Sequence, residues 1–131
     1  TDDAIRRGVA LGARLIIVAP CCHKELRPQL RAPAVFAPVM RHGLMEERMA
    51  EWLTDGLRAL YLEAAGYRVK ILEFISTEHT AKNLMIAAVK SDSVPEGARH
   101  ARERIHELKQ FFGLEHHALD ALLAPATPAN A

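Results

Sequence analysis

Five consecutive apolar residues, Leu15 to Ala19, stop at Pro20. The run is too short for a helix and rich in β-branched side chains. It therefore reads as a strand covered on both faces. Ahead of it, residues 2 to 11 place Ile5 and Val9 on one face and Arg6 and Arg7 on the other, a short helix closed by Gly12. Directly behind it stand Cys21, Cys22, His23 and Lys24. Whatever these four do, they do it at the carboxyl end of a strand.

The rest of the chain supplies partners for that strand. Residues 23 to 43 form a loop-rich insert with Pro28, Pro33 and Pro38, and with four cations, Lys24, Arg27, Arg31 and Arg41, against the single acid Glu25. From Leu44 to Ala65 the pattern is helical. Met45, Met49, Trp52, Leu53, Leu57, Leu60, Tyr61 and Ala64 recur at spacings of three and four and read as core, with Glu46, Glu47, Glu51, Asp55 and Arg58 on the surface. Gly66 ends this helix. "YRVKILEFIS" and "NLMIAAVK" read as two further strands, and Ser93, Pro95 and Glu96 as the capped start of a helix that runs to Phe112. A last helical stretch, "EHHALDALL", precedes an Ala/Pro tail expected to fray.

Strands linked through helices imply a parallel α/β sheet with right-handed crossovers. The last two strands are joined by a connection too short for a crossover and should pair antiparallel. Ligands of open α/β sheets bind beyond the carboxyl ends of parallel strands. The Cys21–Lys24 cluster follows one such end and the loop Ser76 to Asn83 follows another. If the reversed strand lies between them, the two clusters share one rim, on the order of 10 Å apart.

The bulk numbers narrow the function. The chain has 131 residues and a formal net charge of +1, so no global field selects nucleic acid or a membrane surface. No apolar run approaches the roughly 20 residues of a membrane helix, and nothing reads as a signal peptide. The two cysteines are neighbours, and a bridge between them would close a small strained ring. A reducing, cytoplasmic setting follows. The opening "TDDAIRRGVALG" has no initiator Met and reads as entered in mid-fold, as a piece of something longer.

Taken together, "APCCHKELRPQL" after one strand and "STEHTAKNLMIAAVK" after another resemble the C-terminal half of a class I S-adenosylmethionine-dependent methyltransferase, more narrowly the methyltransferase-like group with a Pro-Cys-Cys-His-type motif. The resemblance implies an α/β fold: the C-terminal half of a Rossmann-like sheet, parallel strands plus a terminal antiparallel strand, with flanking helices. Residues 1–112 would be that partial domain and 113–131 a short helix and tail. Ala13 to Pro20 would be the family's fifth strand, Arg68 to Ser76 its sixth and Asn83 to Lys90 its reversed seventh.

The resemblance also implies roles. Cys21, Cys22, His23, Lys24, Glu78 and His79 would border the reaction centre. Thr80, Lys82, Asn83, Arg27 and Arg31 would hold the acceptor, and relatives in the group act on RNA, including tRNA. S-adenosylmethionine would be the cofactor of the full-length enzyme. Its Gly-rich turn and ribose-binding acid would lie upstream of Thr1, so this chain alone should bind it poorly and be inactive. With its upstream neighbour absent, the run Leu15 to Ala19 would offer a bare edge, and the chain should self-associate through that edge or a helix face.

Other readings stand beside these. Cys21 and Cys22 read equally well as small buried residues at a strand end. A zinc site is disfavoured, because Cys-Cys-His in direct succession does not readily turn three ligands to one tetrahedral ion. The basic insert reads as a solvated loop or as phosphate contacts. His100, His106, His116 and His117 read as solvated. The alternative to the enzyme is a non-catalytic α/β module that binds a partner.

Overall fold

A computed structural model describes residues 1–74, 83–92 and 96–124. Helix α1 spans Asp2–Ala10. Asp2 and Asp3 in its first turn and Arg7 in its last suit the helix dipole. Gly12, at φ 65°, closes it in the left-handed conformation that glycine adopts without strain. Strand β1 is Leu15–Val18. A 3₁₀ turn over Ala34–Phe36 leads into a short helix α2, Ala37–Met40, so the insert carries more regular structure than its prolines suggest. The long helix α3 runs Gly43–Ala64, β2 Tyr67–Glu73, β3 Leu84–Lys90 and α4 Glu96–Phe112. The segment after α4 has turns and a 3₁₀ turn at Asp120–Leu123 in place of the expected helix.

The sheet corrects the expected fold. Its order is β1-β3-β2, and both pairings are antiparallel, with Ile16 opposite Ala88 and Ala88 opposite Val69. A sheet of parallel, Rossmann-like strands is therefore not what the chain forms. The crossover through the insert and α3 does return β2 in the direction of β1. The short β2–β3 connection then sends β3 back between them, so β3 takes the hydrogen bonds of both and no parallel ladder exists among the described residues.

The helices cover one face. Ile16, Ile86, Ala88 and Tyr67 are buried there, against Ile5 of α1 and Leu53, Leu57 and Tyr61 of α3. Gly8 is placed so that an added Cβ would meet Ile16 Cδ1 at 2.9 Å, which fixes how closely α1 lies on β1. α4 packs its Ala98, Ala101, Ile105 and Phe112 stripe on α3. The opposite face is open. Leu15 and Ile17 are each 55 % exposed, so β1 is covered on one side, not on both as its unbroken apolar run suggests. Val89 and Leu72 continue this uncovered surface.

Candidate functional site

Because β3 opposes both neighbours, the carboxyl ends of β1 and β2 lie at the same end of the sheet. Val18 and Ile71 both stand opposite Ile86. Beyond that end, Pro20 and His23 share a cavity of about 310 Å³ with Trp52, Asp55, Glu73 and Asn83. Cys21, Cys22, Lys24 and Arg27 line a second cavity of about 240 Å³, which also includes His23 and Glu51 and so adjoins the first. The rim thus brings Cys21–Lys24, Arg27 and Asn83 together. Arg31 is elsewhere. It packs over Gly113 at the far end of α4, with its backbone N–H donating to Phe112 O at 2.8 Å. Glu78, His79, Thr80 and Lys82 lie outside the described residues.

His23 is the best-placed rim residue. Its Nε2 lies 2.8 Å from Asp55 Oδ2, and both side chains are under 10 % exposed. A carboxylate only accepts, so Nε2 carries the proton of this bond. That leaves Nδ1 as the free ring position. It is buried and has no hydrogen-bond partner among the described residues. An imidazole oriented by a carboxylate is one half of a general base; the other half, access to Nδ1, is closed by the side chains packed around it.

Asp55 is itself held. Arg58 donates from Nη1 to Asp55 Oδ1 at 3.0 Å, and from Nε and Nη2 to the two oxygens of Asp2 at 2.8 Å each. Its Nη2 also donates to Cys22 O at 2.8 Å, which clamps the Cys-Cys loop. Burial alone would lift Asp2, but the Arg58 hydrogen bond and charge outweigh it and hold this carboxyl below its usual range. Burial works against the Arg58 charge, and the hydrogen bonds and charges of Asp2 and Asp55 reverse that and hold it firmly protonated. Helical spacing puts Asp55 and Arg58 on the surface, but both are buried. The missed signal was their i, i+3 spacing on the flank of the Leu53–Leu57–Tyr61 stripe, where a charge pair can be carried into the core only as a pair.

Other expectations also change. Cys21 and Cys22 are exposed, not buried, with their sulfurs 3.7 Å apart and no disulfide between them. Trp52 and Met45, core by helical spacing, are 57 % and 38 % exposed, and only Met49 of that trio is buried. His117, solvated by its sequence pattern, is 5 % exposed and so buried. Among the described residues, no group of three or more His, Cys, Asp or Glu is arranged to hold a metal ion, and no helix is long and apolar enough to cross a membrane.

The cofactor implied by the resemblance does not fit these residues. Its phosphate-free nucleoside would need a close-approach glycine turn between a strand and a helix. The positive-φ glycines are Gly12, Gly66 and Gly113, and each follows the carboxyl end of a helix. Compared with known proteins, the chain matches no family model, no curated protein and no solved structure.

Proposed function

We propose that the rim is the acceptor-side portion of an S-adenosylmethionine-dependent methyltransferase site, with the cofactor held by residues other than those described here. The observation that carries this reading is the His23–Asp55 pair, which stands in the wall shared by two cavities. In this reading an acceptor entering the cavity displaces the side chains that enclose His23 Nδ1, and that nitrogen takes the proton the acceptor sheds. Asp55 stabilises the resulting imidazolium, and Arg58 keeps Asp55 in place. Lys24 and Arg27 supply positive charge at the mouth.

Methyl transfer assayed with the protein tests the reading. His23→Ala is expected to slow turnover by about 10²–10⁴-fold, the usual worth of a positioned general base. Asp55→Asn keeps the shape but no longer favours the imidazolium, so it should lower kcat and leave KM little changed. Unchanged turnover with a lowered Tm would reduce His23 and Asp55 to structural residues. Isothermal titration of the 131-residue chain with the cofactor is expected to show no micromolar binding.

A second reading, a partner-binding module, is favoured by one observation: the uncovered face with Leu15, Ile17, Leu72 and Val89 exposed along it. Exposed apolar residues of this kind mark an interaction site, here bordered on β2 by Arg68 and Lys70, and the outer side of β1 has no paired strand among the described residues. Self-association through this face or edge would give a dimer in sedimentation velocity at micromolar concentration. Ile17→Lys is expected to return it to a monomer. A wild-type monomer would remove this reading of the face.

A further inference from the structure

We propose that the cavity at the carboxyl end of α4 binds a small organic phosphate monoester, with its phosphate on Arg31, Arg102 and His106 and its apolar body on Ile105, Leu114 and Leu123. The site lies apart from the rim of the sheet and rests on neither reading given above.

The first observation is how the cavity is built. Its volume is about 470 Å³, within the usual range of small-ligand sites. Three separate parts of the chain wall it: α4, the segment that follows α4, and Arg31 of the insert. Arg102, His106 and Gln110 come from α4 at spacings of four, so they stand one turn apart on one face. Arg31 reaches the same place across Gly113. A Cβ added at Gly113 would meet Arg31 Cδ at 3.1 Å and Arg31 Cβ at 3.2 Å. The bare glycine therefore gives the arginine stem its bed at the end of the helix.

The second observation is the charge left over. Lys109 is neutralised, because its Nζ donates to both oxygens of Asp120, at 2.9 and 2.8 Å. Arg102 is not. Its Nη1 donates to Leu123 O at 2.5 Å and its Nη2 to Ala64 O at 3.5 Å. These acceptors are neutral carbonyls, so they hold the guanidinium in place and leave its charge whole. They also leave some of its five N–H donors unengaged. Arg31 has no carboxylate partner among the described residues. The one acid of the wall, Glu115, has its side chain 81 % exposed and lies 3.9 Å from His116, which turns it toward solvent. Nor do the guanidiniums serve to cap α4. The carbonyls of Lys109, Gln110 and Phe112 already accept the backbone N–H groups of Leu114, Gly113 and Arg31. Two anchored positive charges thus face one cavity with no anion to answer them among the described residues.

The third observation is the apolar floor. Ile105 and Leu114 are buried, and Leu123 stands beside them. A bare inorganic anion would leave this surface wet, whereas an anionic head on a short apolar body covers both parts. The head is a phosphate and not a carboxylate on a count of donors. Two guanidiniums and an imidazole offer more N–H groups than two carboxylate oxygens take up. A phosphate monoester brings three acceptor oxygens and a charge near −2.

Isothermal titration of the chain with phenyl phosphate, inorganic phosphate and benzoate tests the proposal. Phenyl phosphate is expected to saturate one site and to bind about tenfold tighter than either of the others, which lack its ring or its second charge. It should also raise Tm, as any ligand of the folded state does. Arg31→Gln is expected to weaken phenyl phosphate by roughly 10–100-fold, the usual worth of hydrogen bonds to a charged group. Arg102→Gln should do the same, and its Tm without ligand reports separately on the lost Leu123 and Ala64 contacts. Arg68→Gln removes an equal charge from the open face of the sheet and should leave the affinity unchanged. In methyl NMR spectra the signals of Ile105, Leu114 and Leu123 should move with phenyl phosphate, and that of Ile17 should not. Absence of saturable binding would overturn the proposal. So would an affinity that Arg31→Gln leaves unchanged, or one that Arg31→Gln and Arg68→Gln lower alike, since the latter is attraction to net charge and not to a site. Benzoate binding as tightly as phenyl phosphate would overturn the assignment to phosphate.

Discussion

Arg58→Met is expected to destabilise the chain by about 3–5 kcal/mol, the usual consequence of removing one partner from a buried ion pair. Arg58 is 2 % exposed and makes four hydrogen bonds, two to Asp2, one to Asp55 and one to the Cys22 carbonyl. Methionine fills similar space, so lost packing is a small part of the cost. The larger part is what stays behind. Asp2 is at the start of α1 and 19 % exposed, so water can partly recover it. Asp55 is 8 % exposed and would keep only His23. The Cys22 carbonyl would lose this donor, and the loop carrying Cys21 to Lys24 would lose its clamp. Arg58→Lys keeps a charge but not the planar fork that reaches Asp2 with two donors and Asp55 with a third, so it should recover only part of the loss. The combined Asp2→Asn, Asp55→Asn, Arg58→Met variant should be less destabilised than Arg58→Met alone, because no uncompensated carboxylate remains. Urea unfolding checks the series, and the single change should lower Tm on the order of 10 °C. A fall of only a degree or two would mean that solvent reaches the cluster.

Much of the local structure was legible because it rests on near-neighbour patterns. Gly12 and Gly66 end α1 and α3, and the three strands fall within the runs that contain Leu15–Val18, Tyr67–Glu73 and Leu84–Lys90. Which strand hydrogen-bonds to which is a different kind of fact. β1 and β2 have the composition of neighbours in a parallel sheet, and nothing in either run states that β3 will lie between them. The unbroken apolar run of β1 also misled about its cover. Leu15 and Ile17 face outward from a sheet with helices on one side only, a property of the whole chain and not of five residues. At the site, the Cys21–Lys24 rim followed from strand direction. The buried Asp55–Arg58 pair, the exposed Trp52 and the buried His117 did not, because helical periodicity assigns a charge to the surface and a tryptophan to the core by default. Each of these residues departs from its default through a partner distant in sequence: Asp2 for Arg58, Phe112 for Trp52 and Tyr61 for His117.

Acidification from pH 7 to pH 5 is expected to remove about 2 kcal/mol of stability through His117 alone. The ring is 5 % exposed and stacks on Tyr61, centroids 4.7 Å apart and 25° from parallel. Its Nδ1 accepts the Leu119 N–H at 3.0 Å, so the neutral ring carries its proton on Nε2, which is buried without a partner among the described residues. A second proton would have to go to Nδ1, where it breaks the Leu119 bond and places a charge in the core. Burial, aided by the nearby Arg58 charge and only partly offset by Asp2 and Asp120, pushes the ring from 6.5 down to about 4. Between those two values the unfolded chain holds more protons than the folded one. Stability therefore rises with pH across that window and is lost as pH falls through it, about 3 kcal/mol in full. Two carboxyls extend the loss further into acid. Burial would raise Asp2 and Asp120, but Arg58 holds the first low and Lys109 and Tyr61 the second, so protonating either breaks a bond that favours the fold. Glu25 acts in the opposite sense. Burial and the neighbouring Asp2 raise it, so it takes up its proton more readily in the folded chain and softens the acid limb. His117→Phe keeps a ring against Tyr61 and removes the titration. It should lower stability at pH 7, where the Leu119 N–H loses its acceptor, and flatten the dependence between pH 7 and pH 5. Urea midpoints at the two pH values decide the matter. Equal pH dependence in the wild type and the variant would show that His117 gains its proton without leaving the core, and that the acid sensitivity of the chain resides in its carboxylates.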